Sequence, residues 1–280
     1  MASYESNESN ESNESNESNQ GNVGYGGAWT FANRVDLPFL TEPGVGEQFI
    51  ARSAFGARNW SSVWYAWVVL SDFAGTDWRT RITLDPPRDL EGTKAEIEIL
   101  KTMALDERPD ALGEIFSQAD EITSYFMGLM VATPRSHPAT FRLLSIVNLV
   151  GTIVAMHFKA KFDRPRPSQI CPALLPPLQV PAHASYPSGH STQAHLLAGI
   201  FKRILPAEMA SAAVVLDALA DRIARNREIA GLHYHSDSQA GVVLAQQILQ
   251  LLTDETVMPH EPDQPSRVAA AIEAAKAEWA

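Results

Sequence analysis

The sequence predicts an all-α protein, a helical bundle whose loops carry the chemistry. Apolar residues recur at three- and four-residue intervals through most of the chain, and period-two alternation is scarce. Prolines and capping residues also cut the periodic runs into helix-sized pieces.

Taken in order, residues 5–19 repeat Glu-Ser-Asn five times. Such a tract has no apolar surface to offset the entropy of ordering, so a disordered low-complexity tail is expected over 1–24. One helical domain is expected over 25–280, with its catalytic core at about 139–241. Trp60, Trp64 and Trp67 stand at near-helical spacing and are expected to pack into the core. Helices are predicted over 91–105 and 109–131, the second entered through Asp106, Glu107 and Pro109, which suit a first turn. Ser136-His137-Pro138 marks the next start, and a long helix is predicted over about 139–157. Pro165 and Pro167 then force an extended segment, and the prolines of 172–187 predict a rigid loop. The runs 188–205, 207–229, 233–253 and 266–279 read as helices, Pro206 separating the first two.

Composition narrows the function. A formal charge of −11 with no long basic block argues against nucleic acid as a partner. Cys171 is the only cysteine, which excludes an internal disulfide and a cysteine-based zinc site. The opening Met1-Ala2-Ser3-Tyr4 lacks the basic and apolar regions of a secretory signal, so the Asn-Glu-Ser sequons read as accidental. The longest apolar stretch, 143–158, contains Asn148 and falls short of the ~18 to 20 residues that cross a bilayer. No membrane span is therefore expected, and the chain reads as cytoplasmic or otherwise soluble.

Three stretches concentrate groups suited to a tetrahedral oxyanion. Residues 159–167 hold four cations, Lys159, Lys161, Arg164 and Arg166. Lysine offers a point charge and arginine a planar fork that gives two hydrogen bonds to one anion. Arg164, so close to Arg166, is expected to face elsewhere. In Tyr186-Pro187-Ser188-Gly189-His190, a Ser-Gly pair entering a helix offers a hydroxyl, backbone N–H groups and the positive end of a dipole. His190 is placed for proton transfer near neutral pH. In the stretch 227–237, Arg227 closes a helix, Gly231 caps it and His233 opens the next. Asp237, four residues on, would share a helix face with His233 and hold one imidazole nitrogen while the other stays free.

Together, Lys-x6-Arg-Pro, Pro-Ser-Gly-His and Arg-x5-His-x3-Asp resemble the three-part signature of the type 2 phosphatidic acid phosphatases, the bacterial non-specific acid phosphatases and the vanadium-dependent haloperoxidases. The matching residues are Lys159, Arg166, Ser188, Gly189, His190, Arg227, His233 and Asp237. Asn226 stands where many members have serine, with little consequence expected. The resemblance implies a helical bundle of the acid phosphatase and haloperoxidase type, and it implies one of two chemistries. In a phosphatase, His233 attacks phosphorus, Asp237 orients it, the cations hold the equatorial oxygens and His190 protonates the leaving alcohol. In a haloperoxidase, vanadate is the cofactor, His233 its axial ligand, and hydrogen peroxide and a halide react there to give hypohalous acid, which a small organic substrate consumes.

His183, five residues before Ser188, is similar to a histidine of bromide-oxidising members, where it would assist proton transfer or halide approach. A loop histidine bonded to backbone is the other reading of it. Met156 stands where haloperoxidases often have tryptophan, and the short intervals between motifs suit compact phosphatases. The expectation is a haloperoxidase oxidising bromide or iodide, with a phosphomonoesterase using a phosphohistidine on His233 as the alternative. A non-catalytic phosphate or vanadate binder is a third reading. An exposed apolar helix face would support a homodimer.

Overall fold

The computed structural model describes residues 60–280. The expected tail over 1–24 and the start of the expected domain lie outside the described residues. Residues Ser62–Ala280 form one compact unit, and no strand occurs among the described residues.

The first helix, α1 (Ser62–Ala74), buries Ala66, Val69, Leu70 and Phe73. Trp60, Trp64 and Trp67 are 39%, 56% and 49% exposed, so the tryptophans expected in the core lie outside it and the smaller residues of α1 fill it instead. After the single turn α2 (Trp78–Arg81) comes α3 (Leu90–Asp106), where the Asp89 carboxylate accepts from Gly92 N at 2.9 Å. The helix predicted over 109–131 is two helices, α4 (Arg108–Ser117) and α5 (Thr123–Leu129). No proline or glycine stands at the break. The carboxylate of Glu121 takes the N–H groups of Thr123 and Ser124 and starts a second helix in place of continuing the first.

Helix α6 (Pro138–Phe162) has 25 residues, five beyond the predicted end, and stops where Asp163 turns left-handed at φ 47°. Its first N–H groups are capped by the Glu278 carboxylate, from Ala139 N at 2.7 Å and Thr140 N at 2.8 Å. A short α7 (Pro167–Ile170) follows. Then come α8 (Gly189–Ile204), α9 (Ala212–Ile229), α10 (His235–Leu252) and α11 (Arg267–Lys276). Helix α8 is the centre of the unit, packed against α6, α9 and α10. Close approach there depends on Gly241, since a Cβ would come within 2.7 Å of Ser191 and 2.9 Å of the Ser188 carbonyl. The N-termini of α8 and α10 are thereby brought together at one end of the bundle, which is where the motifs meet.

At about 1.5 Å per residue α6 is roughly 37 Å long, enough to cross a ~30 Å hydrocarbon layer. By length and composition the segment 138–170 qualifies as a membrane span, and half of its most apolar window is buried inside the protein. The sequence-based estimate stopped at the apolar run and missed the turns on either side that are helical too.

Candidate functional site

One cavity of about 200 Å3 is lined by Lys159, Arg166, His183, Gly189, His190, Arg227 and His233, with Thr152, Met156 and Gln193 also on its wall. The three motif stretches therefore converge. Lys159 sits in the last turn of α6, where a segment beyond the helix was expected. It is 2% exposed, and its Nζ donates to the carbonyls of Ala184 (2.9 Å) and Ser185 (3.0 Å). Arg166 is held on three sides: Nε donates to the His183 carbonyl at 3.0 Å, Nη1 to the Leu232 carbonyl at 2.9 Å, and Nη2 to His183 Nδ1 at 3.0 Å. His183 is thus engaged through ring and backbone in orienting Arg166.

Arg227 closes the cage from the end of α9. Its Nη2 donates to the Ile115 carbonyl at 2.7 Å. Its Nε and Nη1 are buried and find no acceptor among the described residues. A buried guanidinium with two free donors on a cavity wall is the electrostatic half of an anion site. Gly189 lines the same wall, and a Cβ there would meet nothing within 4 Å, so packing does not require the glycine and its missing side chain leaves room in the cavity. Ser188 is fully buried behind it as the N-cap of α8, its hydroxyl accepting from Ser191 N at 3.3 Å.

His233 lies in the turn between α9 and α10, entered through Gly231 at φ 75°. It does not open α10, which starts at His235. Its i,i+4 relation to Asp237 spans a helix cap, and Asp237 is held there because its Oδ2 also accepts from Tyr234 N at 3.1 Å. Arg166 Nη1 lies 3.1 Å from His233 Nε2. Because guanidinium can only donate, Nε2 is the acceptor, and the ring proton sits on Nδ1, donated to Asp237 Oδ2 at 3.1 Å. Burial first, and then Arg166 and Lys159, hold its imidazole well below the usual histidine range. His233 is a neutral ring on the cavity wall, its Nε2 lone pair accepting from Arg166 Nη1, a bond that a substrate must displace before Nε2 attacks.

His190, in the first turn of α8, has Nε2 at 3.0 Å from the carbonyls of Gln118 and Ala119, so Nε2 carries a proton and Nδ1 is left to exchange one. Those carbonyls are free because the chain breaks helix between α4 and α5. Asn226 lies beside the break, donating to Glu114 Oε2 and Gln118 Oε1 at 2.9 Å each.

Burial, and then the charge of Arg227, push His190 down from 6.5 to about 4. As pH falls through 6.5, the unfolded chain takes up the proton before the folded protein does, so stability falls with pH. Between pH 7 and pH 5 this residue should cost about 2 kcal/mol, read as a lower urea midpoint. A His190→Gln variant should show a correspondingly shallower pH dependence, and an identical slope in both proteins would refute the assignment.

Sequence reasoning missed the shell behind His233. Ser185, fully buried, hydrogen-bonds through its hydroxyl to Asp237 Oδ2. Arg164 faces away from the cage, as expected, and its Nη1 donates to Asp237 Oδ1 at 2.6 Å. The one available signal was Glu96, a carboxylate in the buried stripe Thr93, Glu96, Ile97, Leu100 and Met103 of α3. The other histidines lie apart from the cage: His235 faces Glu228 at 3.2 Å, and His195 faces Asp221 at 3.2 Å.

No protein-family model matches the chain, and no curated protein does. Among solved structures it is similar to one described as the crystal structure of the first transmembrane PAP2 type phosphatidylglycerolphosphate phosphatase from Bacillus subtilis. The likeness has 18% identity and a TM-score of 0.45 and covers 68% of this chain and 93% of that one. That description names a phosphatase, against the expectation of a haloperoxidase with peroxide and halide as reactants. It also names a transmembrane protein, and the segment 138–170 of this chain is by length and composition long and apolar enough to cross a bilayer, against the expectation of a soluble, cytoplasmic chain with no such segment.

Proposed function

We propose that this protein is a phosphatase of the acid phosphatase superfamily that cleaves phosphate monoesters through a phosphohistidine on His233. The observation that carries the reading is the pairing, on one cavity, of the free donors of Arg227 with the lone pair of His233 Nε2. His183, the residue that favoured halide oxidation, supports the change, since its Nδ1 and carbonyl are committed to Arg166.

In the first half-reaction His233 Nε2 bonds to phosphorus as the ester P–O bond breaks. Lys159, Arg166 and Arg227 stabilise the charge spread over the equatorial oxygens. His190 delivers a proton from Nδ1 to the departing alkoxide; the dianionic ester beside it favours its protonated form. Water then attacks the phosphohistidine with His190 as base, releasing phosphate. Throughout, Asp237 keeps the proton on His233 Nδ1 and offsets the positive charge that the ring acquires. No resident cofactor is required. Orthovanadate suits the same donors and would act as a mimic of the five-coordinate phosphorus.

The test is hydrolysis of para-nitrophenyl phosphate without added metal, with competitive inhibition by orthovanadate and an acid-labile, base-stable labelled phosphoenzyme after quenching. Tight phosphate binding with no hydrolysis of any monoester would make the protein a non-catalytic anion binder and overturn the reading.

A further inference from the structure

Behind the nucleophile runs a chain of buried charge that starts on a helix outside the three motif stretches. Glu96 of α3 is 4% exposed, Arg164 5% and Asp237 0%. Arg164 Nη2 donates to Glu96 Oε2 at 2.9 Å, and its Nη1 donates to Asp237 Oδ1 at 2.6 Å. The guanidinium carbon lies over the Tyr234 ring, 3.8 Å from its centroid, and the group also donates to Thr93 Oγ1 and Ser236 Oγ. Glu96 acts on α10 directly as well. Its Oε1 accepts from Ser236 N at 2.7 Å and its Oε2 from the Ser236 hydroxyl at 2.9 Å. It therefore caps the helix whose first turn carries Asp237.

We infer that Glu96 and Arg164 are positioning residues for the nucleophile, acting on His233 through Asp237. The inference rests on the phosphatase reading for its kinetic arm only. Two physical steps carry it. Asp237 Oδ2 is crowded with donors, from His233 Nδ1, Tyr234 N and Ser185, whereas Oδ1 accepts from Arg164 and, among the described residues, from no other side chain, so Arg164 fixes the carboxylate plane that aims the imidazole. Arg164 alone would neutralise Asp237 and weaken its hold on a ring that becomes positive on phosphorylation. Glu96 returns the buried trio to a net charge of −1, so Asp237 still acts as an anion toward His233. A carboxylate and a guanidinium buried together without such a task are a poor source of stability.

The test is Glu96→Gln, which keeps shape and can still accept from Ser236 N, alone and with Asp237→Asn. The expected result is a drop in kcat of roughly 10- to 100-fold with the affinity for inorganic phosphate within about twofold, because the cage cations are untouched. In the Asp237→Asn background the same change should cost less than about twofold, since Glu96 acts through that carboxylate. A full-sized loss in both backgrounds, or an unchanged kcat in folded Glu96→Gln, would overturn the inference. Arg164→Lys gives a second variant, in which the planar fork is lost and kcat should fall similarly.

An arm independent of turnover is the proton NMR signal of the His233 Nδ1–H. It should move and exchange faster in Glu96→Gln and stay unchanged if the trio serves only to pack α3 against α10. Should the wild-type protein hydrolyse no ester, the phosphatase reading fails by itself and this signal still decides the role of Glu96.

Discussion

Replacing His233 with alanine should lower kcat by roughly 10^3-fold or more while leaving phosphate bound within about threefold of the wild-type affinity. The split follows from which groups do what. The charges that hold a phosphate dianion belong to Lys159, Arg166 and Arg227, and all three remain. What is lost is the lone pair of Nε2, 3.1 Å from Arg166 Nη1, whose orientation the Asp237 bond maintains. A labelled phosphoenzyme should disappear with it. Folding should suffer little, because Asp237 keeps Arg164, Ser185 and Tyr234 N as donors. Calorimetry of phosphate binding beside a quenched labelling experiment checks both halves. A variant that still forms the covalent intermediate would assign the nucleophile elsewhere, and one that no longer binds phosphate would make His233 part of the anion grip.

Much of this site is legible before any coordinates, and the reason is chemical. Lysine, arginine and histidine in short Pro- and Gly-punctuated stretches have no use in a core, so Lys159, Arg166, His190, Arg227 and His233 announce themselves, and the structure places them on one cavity. The helical class is legible for a similar reason, since the apolar stripes of α8 and α10 repeat at the helical period. The rest depends on pairings that no local pattern encodes. The split between α4 and α5 has no breaker; it is made by Glu121 turning back onto two amides, and only in the folded protein do the freed carbonyls meet His190, some seventy residues away. Glu96 stands out in sequence only as a carboxylate in the apolar stripe of its helix, and its partner Arg164, which no local pattern pairs with it, gives that burial a reason. The three tryptophans misled because aromatic size suggests burial, whereas α1 turns its smaller residues inward. The extent of α6 was underestimated because its last turn carries Lys159 and Lys161, which the functional site and the helix C-terminus accommodate together.

Arg227→Met should separate stability from function. The wild-type guanidinium is 1% exposed, spends one donor on the Ile115 carbonyl and leaves Nε and Nη1 without an acceptor among the described residues. Each unpaired buried polar group costs about 1–3 kcal/mol, and the one bond made by the charged guanidinium returns about 1.5–3 kcal/mol. An apolar side chain of similar length removes that penalty but leaves the Ile115 carbonyl without this donor, so the two costs offset and without phosphate the variant should melt near the wild-type temperature. Its kcat/KM should nevertheless fall by roughly 10^2- to 10^4-fold, because a donor aimed at the developing charge is gone from a desolvated site. Phosphate makes the contrast measurable. At a hundred times its dissociation constant it should stabilise the wild-type protein by about 2.7 kcal/mol, and at the same concentration it should barely move the variant. Were Arg227 chiefly a strut for the 115–119 segment, the opposite pattern would appear: a lower melting temperature without phosphate and an undiminished shift on adding it.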